Sequence, residues 1–313
     1  MDAVDDVSAV IIETAADRVR IGYAGESAPM YTASLLGGAV AGANSVDAVE
    51  RAWQQGITTM FSTKDQSSAA ELSQEANAGI PLANGATLAE RTPLLLVEPA
   101  RPWNASTRQK LVSFAFQTLR VPAVYVLRSA VATTFAWART TALVLHLDVD
   151  GAVAAPVVDG YLLLRCMRQD PLLGLHWPDR NTLNDEEMKK PLKQVEAILF
   201  PCLTRLVFDA IMAVDVDMRR ELFYNVLVTG DALCYLEESA LVMRLHESLA
   251  EVCPHVFRSR VVNTSSEKLV HPGVSAAWIG ASLCGTLGVF HQLWISRAEW
   301  EASPTSILEE RCP

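Results

Sequence analysis

The sequence predicts an α/β protein built on mixed sheets, from three observations. Apolar strand-like runs alternate with helical patterns along the chain. A strand–turn–strand unit near the start recurs near the middle, which points to a duplicated architecture. The chain has 313 residues, half of them apolar and a fifth charged, which is enough for one large or two medium domains with a substantial core.

The first strand pair is Val7 to Thr14, rich in Val and Ile, then Val19 to Tyr23 after a short turn. Thr63 to Gly85 is polar and rich in small residues, and reads as a loop or weak helical stretch. Pro93 to Glu98 reads as a buried strand. Ser106-Thr107-Arg108-Gln109 has the form of a capping box and opens a helix through Leu119, with Leu111, Ala115 and Leu119 on one face. Ala123 to Leu127 is a short strand, and Ala130 to Ala138 a helix.

The second strand pair is Thr141 to Leu147 and Ala152 to Val158, joined by Asp148-Val149-Asp150-Gly151. Asp185 to Val214 is a long helical pattern with acids at its start, which Pro191 and Pro201 should each end or kink. Asn225 to Gly230 is a strand, Glu237 to Ala250 a helix and Phe257 to Val262 another strand. Val274 to Ile295 is long and apolar enough to imitate a membrane span. Its Gly and Ser content and the lack of Lys/Arg flanks predict a buried helix followed by a buried strand instead.

Composition narrows the function classes. A net charge of −10 with no basic block disfavours a nucleic-acid backbone as partner. The six cysteines form no CxxC pair and lack histidines at metal spacing, so they read as reduced core thiols, and no metal site is expected. The N-terminal stretch lacks a signal-peptide core, and the sequons at Asn104 and Asn263 read as incidental. No nucleophile elbow, zinc box or Walker loop is present. His146 on its apolar strand reads as a satisfied core histidine.

One stretch is more specific. Trp278-Ile279-Gly280-Ala281-Ser282-Leu283, then Phe290, Trp294-Ile295-Ser296 and the acidic–aromatic Glu299-Trp300, resembles the C-terminal pattern of actin and the actin-related proteins. Other blocks follow in the family's order. Val10 to Pro29 resembles the first phosphate hairpin and its tail, and Pro93 to Pro99, Pro122 to Val126 and Arg139 to Thr141 the centre of the first domain. Pro156 to Tyr161 resembles the segment after the second phosphate hairpin, and Asn225 to Tyr235 the adenosine-loop region. Together they cover about two thirds of the chain.

The resemblance implies an actin-like fold of two ribonuclease-H-like lobes. Residues 1–136 plus 276–313 form the first lobe, with a reduced second subdomain at about 35–65. Residues 137–275 form the second, with a vestigial fourth subdomain at about 173–204. Loss of those outer parts is expected to prevent an actin-like filament.

In that family two glycine-rich hairpins aim backbone N–H groups at ATP, because glycine lets the backbone approach an anion and tolerates positive φ. Here Ala15 and Asp17 fall where the family has glycines, Ala16 replaces a serine, Arg20 stands for the phosphate lysine and Glu13 for an aspartate. A lone carboxylate at Asp17, about 4 Å from a phosphate oxygen, costs on the order of 4 kcal/mol at an effective dielectric near 20, roughly a thousandfold in affinity. In the second hairpin an ungapped match puts Asp148 and Asp150 where glycines belong. A shifted match would make them metal-side carboxylates, with Gly151 as the turn glycine. Ser129 and Val153 replace the water-positioning glutamine and the relay histidine. Gly230 keeps one glycine of a pair, and Asp231 replaces the other.

The expected function is therefore a non-catalytic actin-related protein, a structural or scaffolding subunit of a larger cytoskeletal complex, with no cofactor and no catalytic residue. The alternative is an actin-related protein that still binds ATP or ADP with Mg as a structural ligand, with little or no hydrolysis. Phe135, Ala138, Thr140, Leu283, Leu287, Val289 and Leu293 match the family's partner groove and stay small or apolar. The expected partners are protein subunits, with actin or another actin-related protein among the candidates, and no nucleic acid or membrane insertion. The expected location is the cytoplasm or cytoskeleton, including a flagellar axoneme or dynactin-like assembly, with the nucleus as alternative.

Overall fold

The structure, a computed structural model, describes residues 8–35, 46–68, 92–148, 150–171, 192–231, 233, 238–262 and 275–313. The chain divides into two compact units, Met1–Arg128 with Ala281–Pro313, and Ser129–Gly280.

In the first unit, β1 (Val10–Thr14) and β2 (Arg18–Tyr23) form an antiparallel hairpin, and β3 (Tyr31–Ser34) adds to the far side of β2. On the other side β4 (Leu94–Val97) and β5 (Ala123–Leu127) follow in parallel, and β12 (Ile295–Ser296) pairs antiparallel with β5. Strands β1 and β4 are buried at every position, which explains the apolar runs Val10–Ile12 and Leu94–Val97.

Helix α1 (Val46–Ser68) lays Trp53, Ile57 and Met60 on this core, none more than 1% exposed. Gly56 makes the approach possible, because a Cβ there would stand 2.5 Å from Ile21 Cδ1 and 2.6 Å from the Tyr31 ring. Most of the stretch at about 35–65, expected as a reduced second subdomain, is thus a core helix of the first unit. Residues 36–45 and 69–91, with most of the predicted loop at Thr63 to Gly85, lie outside the described residues.

Helix α2 (Ala105–Gln117) starts earlier than its predicted box, because Asn104 supplies the cap and accepts a hydrogen bond from Thr107 N at 2.8 Å.

The second unit opens with α3 (Ser129–Ala136) and repeats the strand plan. Strands β6 (Ala142–Asp148) and β7 (Gly151–Val158) form the hairpin, and β8 (Tyr161–Leu162) and β9 (Arg168–Asp170) both pair with β7. Strands β10 (Val226–Thr229) and β11 (Val261–Val262) follow in parallel beyond β6, the latter shorter than the predicted Phe257 to Val262. In both sheets a hairpin has an extra antiparallel strand on one side and two parallel strands on the other, which is the ribonuclease-H-like order used twice.

Helix α4 (Leu192–Met212) passes through Pro201 without ending there. An interior proline costs about 3 kcal/mol, but Leu203, Val207, Ala210 and Ile211 are fully buried against the sheet and outweigh it. Leu199 and Leu203, in the stretch at about 173–204 expected as a vestigial outer subdomain, therefore belong to the core of this unit, while 172–191 lie outside the described residues. Helices α5 (Val216–Tyr224) and α6 (Glu238–Val252) complete the cover.

Helix α7 (Ala276–Thr286) contains the point where the division into units falls, after Gly280. It leads through a 3₁₀ turn, Gly288–Gln292, to β12, α8 (Arg297–Ala302) and α9 (Pro304–Arg311). Ser296 and Glu299 form a reciprocal capping box at α8. Among the described residues no helix is long and apolar enough to cross a membrane.

Candidate functional site

The candidate residues lie on the first hairpin turn in the first unit and on the second hairpin turn and the β10 terminus in the second, and each group is described within its own unit. In the first hairpin, β1 and β2 register Glu13 opposite Arg20 and Thr14 opposite Val19. The turn closes with Ala15 N donating to the Arg18 carbonyl at 2.9 Å. None of Ala15, Ala16 and Asp17 adopts positive φ. The turn thus has no need of glycine and lacks the left-handed residues that a backbone cradle for an anion uses.

The polar side chains of this hairpin are engaged with one another. Arg20 is 1% exposed and donates from Nη1 to Glu13 Oε1 at 3.2 Å. Arg18 forks onto Asp17, Nε to Oδ1 at 2.8 Å and Nη2 to Oδ2 at 2.7 Å. The lone negative charge expected at Asp17 is therefore paired, which removes much of the phosphate repulsion estimated for it. Trp53 donates from its indole to Thr14 Oγ1 at 3.1 Å, joining α1 to the end of β1.

The second hairpin is tighter than expected. Asp148 pairs with Gly151, so β6 and β7 extend to either side of a two-residue loop at 149–150, and Val149 lies outside the described residues. Gly151 has φ 131°, a conformation that disfavours other residues. Asp148 is 3% exposed, and its Oδ2 lies 3.4 Å from His146 Nε2. Burial alone would lower the His146 pKa. The hydrogen bond and charge of Asp148, with Asp231 and Asp150 adding, hold it above its ordinary value instead. His146 is thus a satisfied histidine, though its partner is a carboxylate at the hairpin end.

Gly230 closes β10 with φ 120°, and a Cβ there would stand 2.0 Å from the Leu147 carbonyl oxygen. Its retention has a steric reason inside the second unit. Asp231 follows it, partly exposed. Ser129 begins α3 and is 7% exposed, and Val153 is 2% exposed in β7 opposite His146.

The partner-groove residues fall in both units. Leu283, Leu287 and Leu293, in the first, are 50%, 52% and 39% exposed. In the second unit Phe135 is partly buried with its ring against Gly160, Ala138 is exposed with φ 49°, and the exposed Thr140 accepts from Gly160 N at 2.8 Å. The side chain of Val289 lies outside the described residues.

Two pairings escaped the sequence reading. The Arg18–Asp17 fork joins chain neighbours and was visible as an adjacent opposite-charge pair. The Glu13–Arg20 contact follows from the register of the hairpin, in which Thr14 faces Val19 across the four residues 15–18.

Comparison with known proteins gives the family. The model of the family described as Actin matches residues 4–180 and 179–313. The chain is similar to actin-related protein 4 of Arabidopsis thaliana, 23% identical over 327 residues that take in 71% of this chain and 72% of that one. It is also similar to actin-related protein 4 of Yarrowia lipolytica, 24% identical over 436 residues, with 98% of this chain and 96% of that one covered. That alignment is longer than the chain's own 313 residues, so stretches of the relative have no counterpart here. Two sheets of ribonuclease-H-like order and a family match along nearly the whole chain place this protein in the actin and actin-related protein family.

Proposed function

We propose that this chain is a non-catalytic actin-related protein, a structural subunit of a larger protein assembly, whose nucleotide site has degenerated. The observation that supports this most is the buried Arg20–Glu13 pair on a turn without positive φ. Recruiting Arg20 to a phosphate would leave the Glu13 carboxylate, 4% exposed, without that partner and beside a second anion. Breaking a buried pair in that way costs about 3–5 kcal/mol.

Hydrolysis lacks its groups as well. The hydroxyl of Ser129 is too short to replace an amide that orients water, and Val153 has no proton to relay. The alternative, ATP or ADP with Mg held as a structural ligand, rested on Arg20, Gly151 and Gly230. Arg20 pairs with Glu13 and Gly230 is required by the Leu147 carbonyl, so neither needs a ligand to account for it, and the positive φ of Gly151 is the feature left to the alternative.

Exposed Leu283, Leu287 and Leu293 offer apolar surface to a partner subunit, as expected of a protein that works in company. In this reading the partners are other proteins, with actin or an actin-related protein among them, in the cytoplasm or cytoskeleton or in the nucleus. Native purification of the tagged chain from its own cells tests the proposal. It should elute with a fixed set of subunits, and Leu287→Asp should fold yet elute alone. Recovery as a free monomer that turns over ATP would overturn the proposal, and full assembly of Leu287→Asp would remove the leucine surface from it.

A further inference from the structure

The edge of the first sheet at β5 is covered in two different ways. Ile295 and Ser296 of β12 pair with Val124 and Ala123. Beyond Val124 no strand continues on that side among the described residues, and an open edge is a template for another extended chain. Side-chain and backbone atoms of the last residues take over there. Val126 N donates to Cys312 Sγ at 3.4 Å, and Arg128 Nε donates to the Pro313 carbonyl oxygen at 3.1 Å.

The seat beneath these residues is a buried ion cluster. Glu98, fully buried at the end of β4, accepts from Arg128 Nη1 through Oε2 and faces Arg108 Nε at 2.8 Å through Oε1. Arg108 is 6% and Arg128 7% exposed. Arg128 therefore joins two things, the buried carboxylate on one side and the chain segment after α9 on the other.

That segment has little to hold it locally. Helix α9 has eight residues and no side-chain cap at Ser303, well short of the length at which an isolated helix is stable. Its anchors are tertiary: buried Leu308 and Cys312, the Arg311 bonds to Gln292 O at 2.9 Å and Glu299 Oε1 at 3.2 Å, and the Arg128 contact.

We infer that Leu308–Pro313 is a releasable strap that covers the β5 edge of the first unit, with Arg128 as its clasp. Release uncovers the Val126 N–H and the edge beside it. A clasp at Arg128 also lies at the last residue before the second unit begins, so seating the strap fixes the residue from which the chain leaves the first unit.

Cysteine labelling tests this in the full chain. Cys312 is 1% exposed with its thiol pushed up to about 11 by burial, and Cys284, 3% exposed and pushed up to about 12, reports unfolding of the same unit. Arg128→Met leaves Glu98 paired with Arg108, so the core keeps a balanced pair. Peptide-resolved alkylation should show Cys312 reacting about tenfold faster or more in this variant, with Cys284 unchanged, as expected for loss of a charged hydrogen bond. Arg128→Lys, which keeps the charge but loses the fork geometry, should give a smaller acceleration in the same direction. An unchanged Cys312 rate in both variants, or Cys312 and Cys284 accelerating together in both, contradicts the strap.

Discussion

Helix α7 and the turn of the first hairpin differ in what a side chain would meet. At Gly280 in α7 a Cβ would lie 1.7 Å from the Ala132 carbonyl oxygen, a distance no relaxation of a single side chain can relieve. At Ala15 and Asp17, where the family pattern has glycines, side chains are already present on a turn that needs no positive φ. Glycines required by packing inside a unit have been kept. In the reading proposed above, Ala15 and Asp17 stand where the family's phosphate-approaching glycines are expected. Gly230 belongs with the first group, since its reason is the Leu147 carbonyl at 2.0 Å.

Substitutions can break that comparison. Gly280→Ala should have the largest effect, because the backbone of α3 must move. We expect a loss of about 3 kcal/mol or more, read as a collapse of the thermal midpoint. A variant as stable as the parent would remove the steric reading of α7. Glu98→Ala comes next, leaving two buried guanidiniums without their carboxylate. We expect a cost of about 3–5 kcal/mol in denaturant unfolding, and a cost near zero would mean the cluster is solvated.

His146 adds a pH dependence. Its folded pKa lies above the ordinary value, so its contribution is fully present below the unfolded pKa and is lost as pH rises through the folded one. Unfolding free energy should therefore fall on going from pH 6 towards pH 8, and His146→Gln should flatten that slope; an identical slope in the variant would reject the assignment. Asp17→Gly should have the smallest effect, about 1 kcal/mol, from the greater freedom of the unfolded chain and the lost Arg18 fork. A larger loss would mean that the turn is shaped by its side chains after all.

Much of the fold was legible in the sequence, for identifiable reasons. Strands β4 and β5 are buried on both faces and so carry unbroken apolar runs, and the hairpins are bounded by short polar turns. Helix α1 was missed because Gly56 and the polar residues around it hide a face that Val49, Trp53, Ile57 and Met60 mark among the described residues. Pro201 does not end its helix, because the burial of that helix outweighs the cost of an interior proline. The α2 cap was misplaced because Asn104 and Ser106 are both good caps, and only geometry chooses between them. At the candidate site the residue identities could be read, but their pairing could not. Glu98 meets partners ten and thirty positions away, Arg108 and Arg128, and no local pattern announces such a cluster.

Titration of the purified chain with Mg·ATP by calorimetry tests most directly whether the hairpins still serve a nucleotide. We predict no saturable heat up to millimolar ATP, and no gain when Mg is added. Binding with a micromolar Kd that depends on Mg, and that Arg20→Met abolishes, would contradict the account.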